Sequence, residues 1–276
     1  VTWTAPASNG GSAITDYEVT VYNSSGGDPV GVTGDWTRSA GSSDTEFIFT
    51  GLTNGTAYTF KVRAINASGT GSYSASSNVA IVATVPGAPT GLTPTRGDTQ
   101  VSLEWTAPTS NGGSAITDYI IEYKLTTEPT VWTTFNDGVS TDTDTIVIGL
   151  TNGLSYDFRV KAKNAAGIGS ASSVETIIPA TVPGAPTAVS GTSNEDEQST
   201  VTWTAPVSNG GSAITDYEVT VYNSTGGDPV GVTGDWTRSV GSGDTEFIFT
   251  GLTNGTAYTF KVKAINIVGG GAFSTL

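Results

Sequence analysis

Three acidic pairs recur along this chain: Asp44-Thr-Glu46, Asp142-Thr-Asp144 and Asp244-Thr-Glu246. Two carboxylates two residues apart on a strand share a face, and hard oxygen ligands in that arrangement suit Ca²⁺. The same triplets also read as polar lead-ins to a strand. No Asp-Gly-rich coordinating loop accompanies them, which favours the polar reading. Arg96-Gly97-Asp98 spells an integrin-type cell-attachment tripeptide, and Asn194-Glu195-Asp196 occupies the matching place 98 residues later. A polar turn is therefore what that position holds, and chance accounts for the tripeptide. A long segment, Asn23 to Trp36, could present Trp36, and its later copy Trp236, for stacking on a sugar. Asn-x-Ser/Thr sequons stand at Asn23, Asn54, Asn66, Asn223 and Asn254, and matter only where glycosylation machinery exists.

The residues that are missing say as much. The sequence contains no His, Cys or Met. Ser–His and Cys–His nucleophile systems, His-based zinc sites and disulfides are excluded. A two-carboxylate hydrolase would need a deep cleft between its acids, which small β domains rarely provide. The expectation is a protein with no catalytic residue and no cofactor. The charge is −14, and it divides as −3, −5 and −6 over residues 1–84, 85–181 and 182–276. Acidity spread in this way disfavours nucleic acid and anionic membranes and keeps the surface solvated. No apolar run approaches the ~18 residues of a membrane helix.

The elements that would position these residues follow from internal repetition. Val1-Thr-Trp-Thr-Ala-Pro6 returns as Val201-Thr-Trp-Thr-Ala-Pro206, and residues 1–66 differ from 201–266 only at positions 7, 25, 40, 43 and 63. A more distant copy starts at Leu103-Glu-Trp105-Thr-Ala-Pro108. The steps between Trp3, Trp105 and Trp203 are 102 and 98 residues, the size of a whole β-sandwich and too long for a solenoid repeat. Within a copy, Tyr17, Val19 and Val21 share one face of a strand. Tyr58, Phe60, Val62 and Ala64 share another, with Lys61 and Arg63 opposite. This period of two predicts antiparallel sheets with one wet face. Asn9-Gly10-Gly11 and Asn54-Gly55 supply turn residues. Ile48, Ile146 and Ile248 are expected to point outward, available for a lateral contact.

The ordered set of motifs resembles the fibronectin type III family. The first copy carries Trp3, Pro6, Tyr17, Trp36, Leu52-Thr-Asn-Gly-Thr-Ala-Tyr58 and Ala64-Ile-Asn-Ala-Ser-Gly-Thr-Gly71. The second carries Trp105, Pro108, Tyr119, Trp132, Leu150 to Tyr156 and Ala162 to Gly169. The third carries Trp203, Pro206, Tyr217, Trp236, Leu252 to Tyr258 and Ala264 to Gly271. The resemblance implies an all-β chain of three tandem immunoglobulin-like sandwiches in an extended array. It implies a strand-B Trp between the sheets, a structural Trp on strand C′, and a tyrosine corner at Tyr58, Tyr156 and Tyr258. In fibronectin the attachment tripeptide sits on the F–G loop, whereas here it falls in the A–B turn. Asn54, Asn152 and Asn254 replace a frequent Pro, with little consequence expected.

The expected domains are 1–84, lacking strand A; 85–181, complete; and 182–276, lacking strand G. Either the missing strands lie beyond this window of a longer protein, or strands are shared between molecules. The linkers Thr84-Val-Pro-Gly-Ala-Pro-Thr90 and Thr181-Val-Pro-Gly-Ala-Pro-Thr187 carry paired prolines that stiffen the connection, so a semi-rigid rod is expected. The functional expectation is a non-enzymatic structural or adhesive spacer of a long extracellular or cell-surface protein, a filament-forming one included. The alternative is an accessory region of a secreted polysaccharide-degrading or carbohydrate-binding protein. Expected partners are neighbouring repeats of the array or other copies of the chain, then cell-surface or polysaccharide ligands. Nucleic acid and membrane insertion are not expected.

Overall fold

The computed structural model describes residues 1–29, 36–128, 130–228, 232 and 236–275. The first unit contains β1 (Ile14–Asn23), β2 (Thr37–Ser39), β3 (Ala57–Asn66), β4 (Gly69–Thr70) and β5 (Ala80–Ile81). The middle unit contains β6 (Thr90–Gly97), β7 (Gln100–Thr106), β8 (Ile116–Leu125), β9 (Thr133–Phe135), β10 (Asp144–Ile148), β11 (Tyr156–Asn164), β12 (Gly167–Ala171) and β13 (Glu175–Ile177). The third contains β14 (Thr187–Gly191), β15 (Gln198–Thr204), β16 (Ile214–Asn223), β17 (Thr237–Ser239), β18 (Glu246–Thr250), β19 (Tyr258–Asn266) and β20 (Gly269–Gly270). Among the described residues there is no helix, and the strand pairs are antiparallel.

The middle unit shows the full sandwich. One sheet runs β10-β7-β6, which are strands E, B and A of the family. The other runs β12-β11-β8-β9, with β13 also pairing β11; these are strands G, F, C and C′. Side chains alternate as their types demand. Val101, Leu103 and Trp105 of β7 are buried, while Glu104 faces water. On β11 the buried set is Tyr156, Phe158, Val160 and Ala162, with Arg159 and Lys161 on the other face. Burying each large apolar side chain stabilises the fold by roughly 1.5–3 kcal/mol. Trp105 lies edge-on to Tyr119, with ring centroids 5.3 Å apart. The indole bridges the two sheets as expected, and Trp3–Tyr17 and Trp203–Tyr217 repeat the contact at 5.1 Å.

The tyrosine corner is present three times. The hydroxyls of Tyr58, Tyr156 and Tyr258 accept hydrogen bonds from the backbone N–H of Thr53, Thr151 and Thr253 at 3.0, 3.1 and 3.2 Å. Each bond spans the turn before strand F and fixes where that strand begins. Ile48, Ile146 and Ile248 are exposed, as their position in the alternation requires.

The outer units differ from the middle one in opposite ways. In the first, the sheet β2-β1-β3-β4, with β5 on β3, is faced by one bridge, Thr2 to Glu46. In the third, β14-β15-β18 faces β17-β16-β19-β20, and past β20 the chain stays on the edge of β19, where Gly271 N–H donates to Ala264 O at 2.9 Å and Ser274 N–H to Val262 O at 2.8 Å.

Candidate functional site

The densest set of unusual contacts lies where one unit meets the next. Thr84 to Pro89 leaves the first unit and crosses the end of the second as an extended segment. Thr84 N–H donates to Gly112 O and Gly87 N–H to Ser110 O, both at 2.9 Å. Asn164, buried at the end of β11, donates its amide to Thr84 O and to Asn111 O, both at 2.8 Å. Its carbonyl oxygen accepts from Ala166 N–H at 2.9 Å. A single buried amide thus joins the linker, the B–C loop and the F–G turn. Pro86 and Pro89 are buried in the same place.

Glycine is required here for two separate reasons. Gly112 and Gly113 have φ of 72° and 85°, a region that strains residues with a Cβ. They also meet backbone: a Cβ on Gly112 would lie 2.1 Å from Thr84 O, and one on Gly113 2.1 Å from Gly55 N in the preceding unit. Gly169 isolates the second reason. Its φ is not positive, yet a Cβ there would lie 2.2 Å from Pro86 O. Only close approach of the linker excludes a side chain at Gly169.

The second junction repeats the first nearly atom for atom. Thr181 N–H donates to Gly210 O at 2.8 Å and Gly184 N–H to Ser208 O at 2.9 Å. Asn266 donates to Thr181 O and Asn209 O at 2.8 Å. A Cβ on Gly210 would meet Thr181 O at 2.1 Å, and one on Gly271 would meet Pro183 O at 2.1 Å. Gly211 lies against Asn152 and Gly153 of the middle unit. Asn-Gly-Gly reads in the sequence as a turn, and its second role as the linker's seat is not visible there. The signal was present in the thrice-repeated Asn of Ala-x-Asn-x-x-Gly-x-Gly, whose partner the motif does not name.

The residues with chemical potential are placed elsewhere. Asp98 of Arg96-Gly97-Asp98 accepts a hydrogen bond from the Asn152 amide at 2.7 Å, and Asn152 Oδ1 accepts from Thr99 N–H at 2.9 Å. Asp196 and Asn254 make the same pair at 2.8 Å, with Glu197 N–H donating to Asn254 Oδ1. The tripeptide's carboxylate is thus committed to a clamp between the A–B and E–F turns. Asn at 152 and 254 has a larger structural consequence than its standing in for Pro suggested. The acidic pairs are placed as lead-ins to strand E. Asp44, Asp142 and Asp244 each accept from the hydroxyl of a Ser two residues earlier, at 2.9, 2.8 and 2.8 Å. Glu46, Asp144 and Glu246 continue into the strand region, and among the described residues no three such groups gather around one point.

The C′ tryptophans divide. Trp132 is partly covered, with the Arg159 guanidinium 4.1 Å above its ring and Lys124 at 5.3 Å. Trp36 and Trp236 are 42% and 43% exposed. Residues 30–35, 229–231 and 233–235 of the long segments before them lie outside the described residues. Asn23 is folded inward on its own turn: its Oδ1 accepts from Ser25 and Gly27 N–H and its amide donates to Asp28 O. Asn223 repeats that turn.

The outer face of β8 and β11 is a charge ladder. Glu122 is held by Arg159 and Lys161, and Asp157 by Lys124. Burial pushes the Glu122 carboxyl up, but hydrogen bonds and charge from Lys161 and Arg159 outweigh it and leave the group below the usual range. Burial likewise raises Asp157, and bonds from Lys124 and Thr176 override it. These are satisfied ion pairs on a sheet face, without the opposed pKa values of an acid–base pair.

The model of the Fibronectin type III domain matches residues 1–80, 87–178 and 184–275. Among curated proteins, the chain is 32% identical to Myomesin-2 of Homo sapiens over 82% of the chain and 16% of that protein. It is 30% identical to Exoglucanase B of Cellulomonas fimi over 96% of the chain and 24% of that protein. It is 35% identical to Chitinase A1 of Niallia circulans over 66% of the chain and 27% of that protein. The chain spans between 16% and 27% of the length of these three relatives. A crystal structure of chicken CNTN1 FN1–FN3 domains aligns over 97% of this chain and 88% of that one, at 18% identity and a TM-score of 0.39.

Proposed function

This chain belongs to the fibronectin type III domain family, with three copies in tandem, and on that premise we propose that it is a non-enzymatic structural spacer. It would hold whatever lies on either side at a set separation in a secreted or surface-anchored protein. The observation that carries this reading is the sameness of the two junctions. A flexible tether needs no defined contacts, yet both linkers pair their backbone with the next unit and bury the same Asn amide. Repetition of one junction geometry is what a spacer of regular pitch requires. Its partners on this reading are neighbouring repeats of the array or other copies of the chain.

The absence of cysteine makes the test direct. Spin labels at Ala13→Cys and Thr95→Cys, both exposed, should give one narrow distance distribution between the first and middle units. A broad distribution spanning many ångströms would reject the spacer. Exposure of the chain to protease on intact cells would check the extracellular placement.

A second reading is supported by the likeness to Exoglucanase B and Chitinase A1 and by the exposure of Trp36 and Trp236. In it the chain is an accessory region of a carbohydrate-active protein. Retention on insoluble cellulose or chitin, lost in the Trp36→Ala/Trp236→Ala double variant, would favour it over the spacer. Cell attachment that is unchanged in Asp98→Glu would remove the tripeptide as an adhesion site.

A further inference from the structure

Six asparagines of this chain precede a glycine: Asn9, Asn54, Asn111, Asn152, Asn209 and Asn254. In such a pair the glycine nitrogen can add to the side-chain carbonyl carbon of the asparagine, because glycine has no Cβ to hinder the approach. The glycine N–H proton passes to water, ammonia leaves, and a cyclic succinimide closes. Water then opens the ring at either carbonyl, giving aspartate or its backbone-extended isomer, isoaspartate. We propose that the Ser-Asn-Gly-Gly turns of the two junctions are sites of this self-modification, at Asn111 and Asn209, and that conversion unlatches the linker seated on them. The inference does not depend on the spacer reading.

The junction asparagines are held in a way that favours ring closure. Gly113 N–H donates to Asn111 Oδ1 and Gly211 N–H to Asn209 Oδ1, both at 2.9 Å. That bond closes a turn over the intervening glycine and folds the carbonyl carbon back toward the Gly112 or Gly210 nitrogen. It also sits on the oxygen where negative charge develops as the nitrogen adds. Both asparagines are exposed, and their amide nitrogens, the departing groups, donate to none of the described residues. The attacking N–H groups are tied only to Ser110 Oγ and Ser208 Oγ, at a long 3.2 Å.

The asparagines of the E–F turns are locked instead. Asn152 donates to Asp98 at 2.7 Å and accepts from Thr99 N–H at 2.9 Å, and Gly153 N–H is committed to Pro179 O at 3.0 Å. Asn254 is fixed at both ends by Asp196 and Glu197 N–H, at 2.8 and 2.9 Å. Reaction at either site must first break those bonds. The product at a junction disturbs the seat directly. In isoaspartate the chain runs through the former side chain, so a methylene enters the backbone just before Gly112 and the former Asn111 C=O becomes a free carboxylate. Asn164 donates to that oxygen and Thr84 N–H to Gly112 O, so both bonds lose their register.

The test holds the whole chain in mildly alkaline buffer and maps its peptides by mass spectrometry over time, once native and once in denaturant. In the native chain Asn111 and Asn209 should convert about tenfold or more faster than Asn152 and Asn254, the ratio set by breaking one or two extra hydrogen bonds. In denaturant the four should convert at similar rates, since each precedes a glycine. Asp98→Ala frees one end of Asn152 and should speed that site alone. Chain converted at Asn111 should lose amide-exchange protection at Thr84 and keep it at Thr181. No conversion at Asn111 and Asn209 in the time the denatured chain converts fully, or equal native rates at all four sites, would overturn the proposal. The same ranking in denaturant would also overturn it, because the fold would then not be its cause. Thr84 protection that survives conversion of Asn111 would overturn the unlatching while leaving the spacer reading intact.

Discussion

The first and third units are almost the same sequence, and they bury different halves of it. Strand β3 of the first has its buried residues at the start, with Tyr58, Thr59 and Phe60 covered and Val62 and Ala64 partly open. Strand β19 of the third reverses this: Tyr258 is partly open, while Val262, Ala264 and Asn266 are buried. Trp3 is partly exposed and Trp203 is buried. The middle unit buries the whole length of β11. Burial follows the neighbours. In the first unit Ala80 and Val82 cover Tyr58, and Gly55 N–H donates to Val82 O at 2.8 Å. In the third, the linker Thr181–Pro186 and β14 cover the other end. Each unit's core is thus completed by its own outermost segments, and at the second junction also by the linker that arrives from the preceding unit.

The comparison can be strained at several points. The largest effect is expected from the strand-B tryptophans. Trp203→Ala should cost about 3–5 kcal/mol, and Trp3→Ala clearly less, because part of that indole already faces water. Denaturant unfolding of each variant checks this, and equal losses would break the contrast. Next come the linker-facing glycines. Gly271→Val should destabilise by about 1–3 kcal/mol through overpacking, while Gly71→Val changes little in the same melting experiment. Tyr156→Phe removes the acceptor for Thr151 N–H and should cost about 1 kcal/mol, with Tyr258→Phe costing less because that corner is more open to water.

The smallest effect is the acid dependence of the middle unit. Asp157 and Glu122 have pKa values lowered by folding, so the folded state binds fewer protons than the unfolded one. Their contribution is fully present above the unfolded carboxylate range near pH 4 and is lost as pH falls through the folded values. Lys124→Met should flatten that decline, and a titration of stability between neutral and acid pH would show it.

Much of the architecture was legible because it depends on period and turn chemistry. Tyr156, Phe158 and Val160 alternate with charged residues and could only face one way. The family resemblance carried by the Leu-to-Tyr motif implied the tyrosine corner, and Thr53, Thr151 and Thr253 each donate to that hydroxyl. The contacts at the junctions and turns were harder to read because their partners lie far along the chain. Asn164 is bonded to Thr84, and Asn152 to Asp98; neither pair has a local pattern. Trp36 and Trp132 occupy one motif position yet differ in cover, because only the middle unit sets Arg159 and Lys124 over the ring. The sequence motif locates a side chain and cannot say what lies above it.

The central claim is that linker backbone is bonded into the following repeat. Amide hydrogen exchange of Thr84, Gly87, Thr181 and Gly184 tests it most directly, since each N–H donates to a B–C loop carbonyl. Slow exchange is predicted at all four, with Gly169→Ala speeding Thr84 and Gly87 while Thr181 and Gly184 stay protected. Exchange at the rate of an open chain in the unaltered protein would contradict the account.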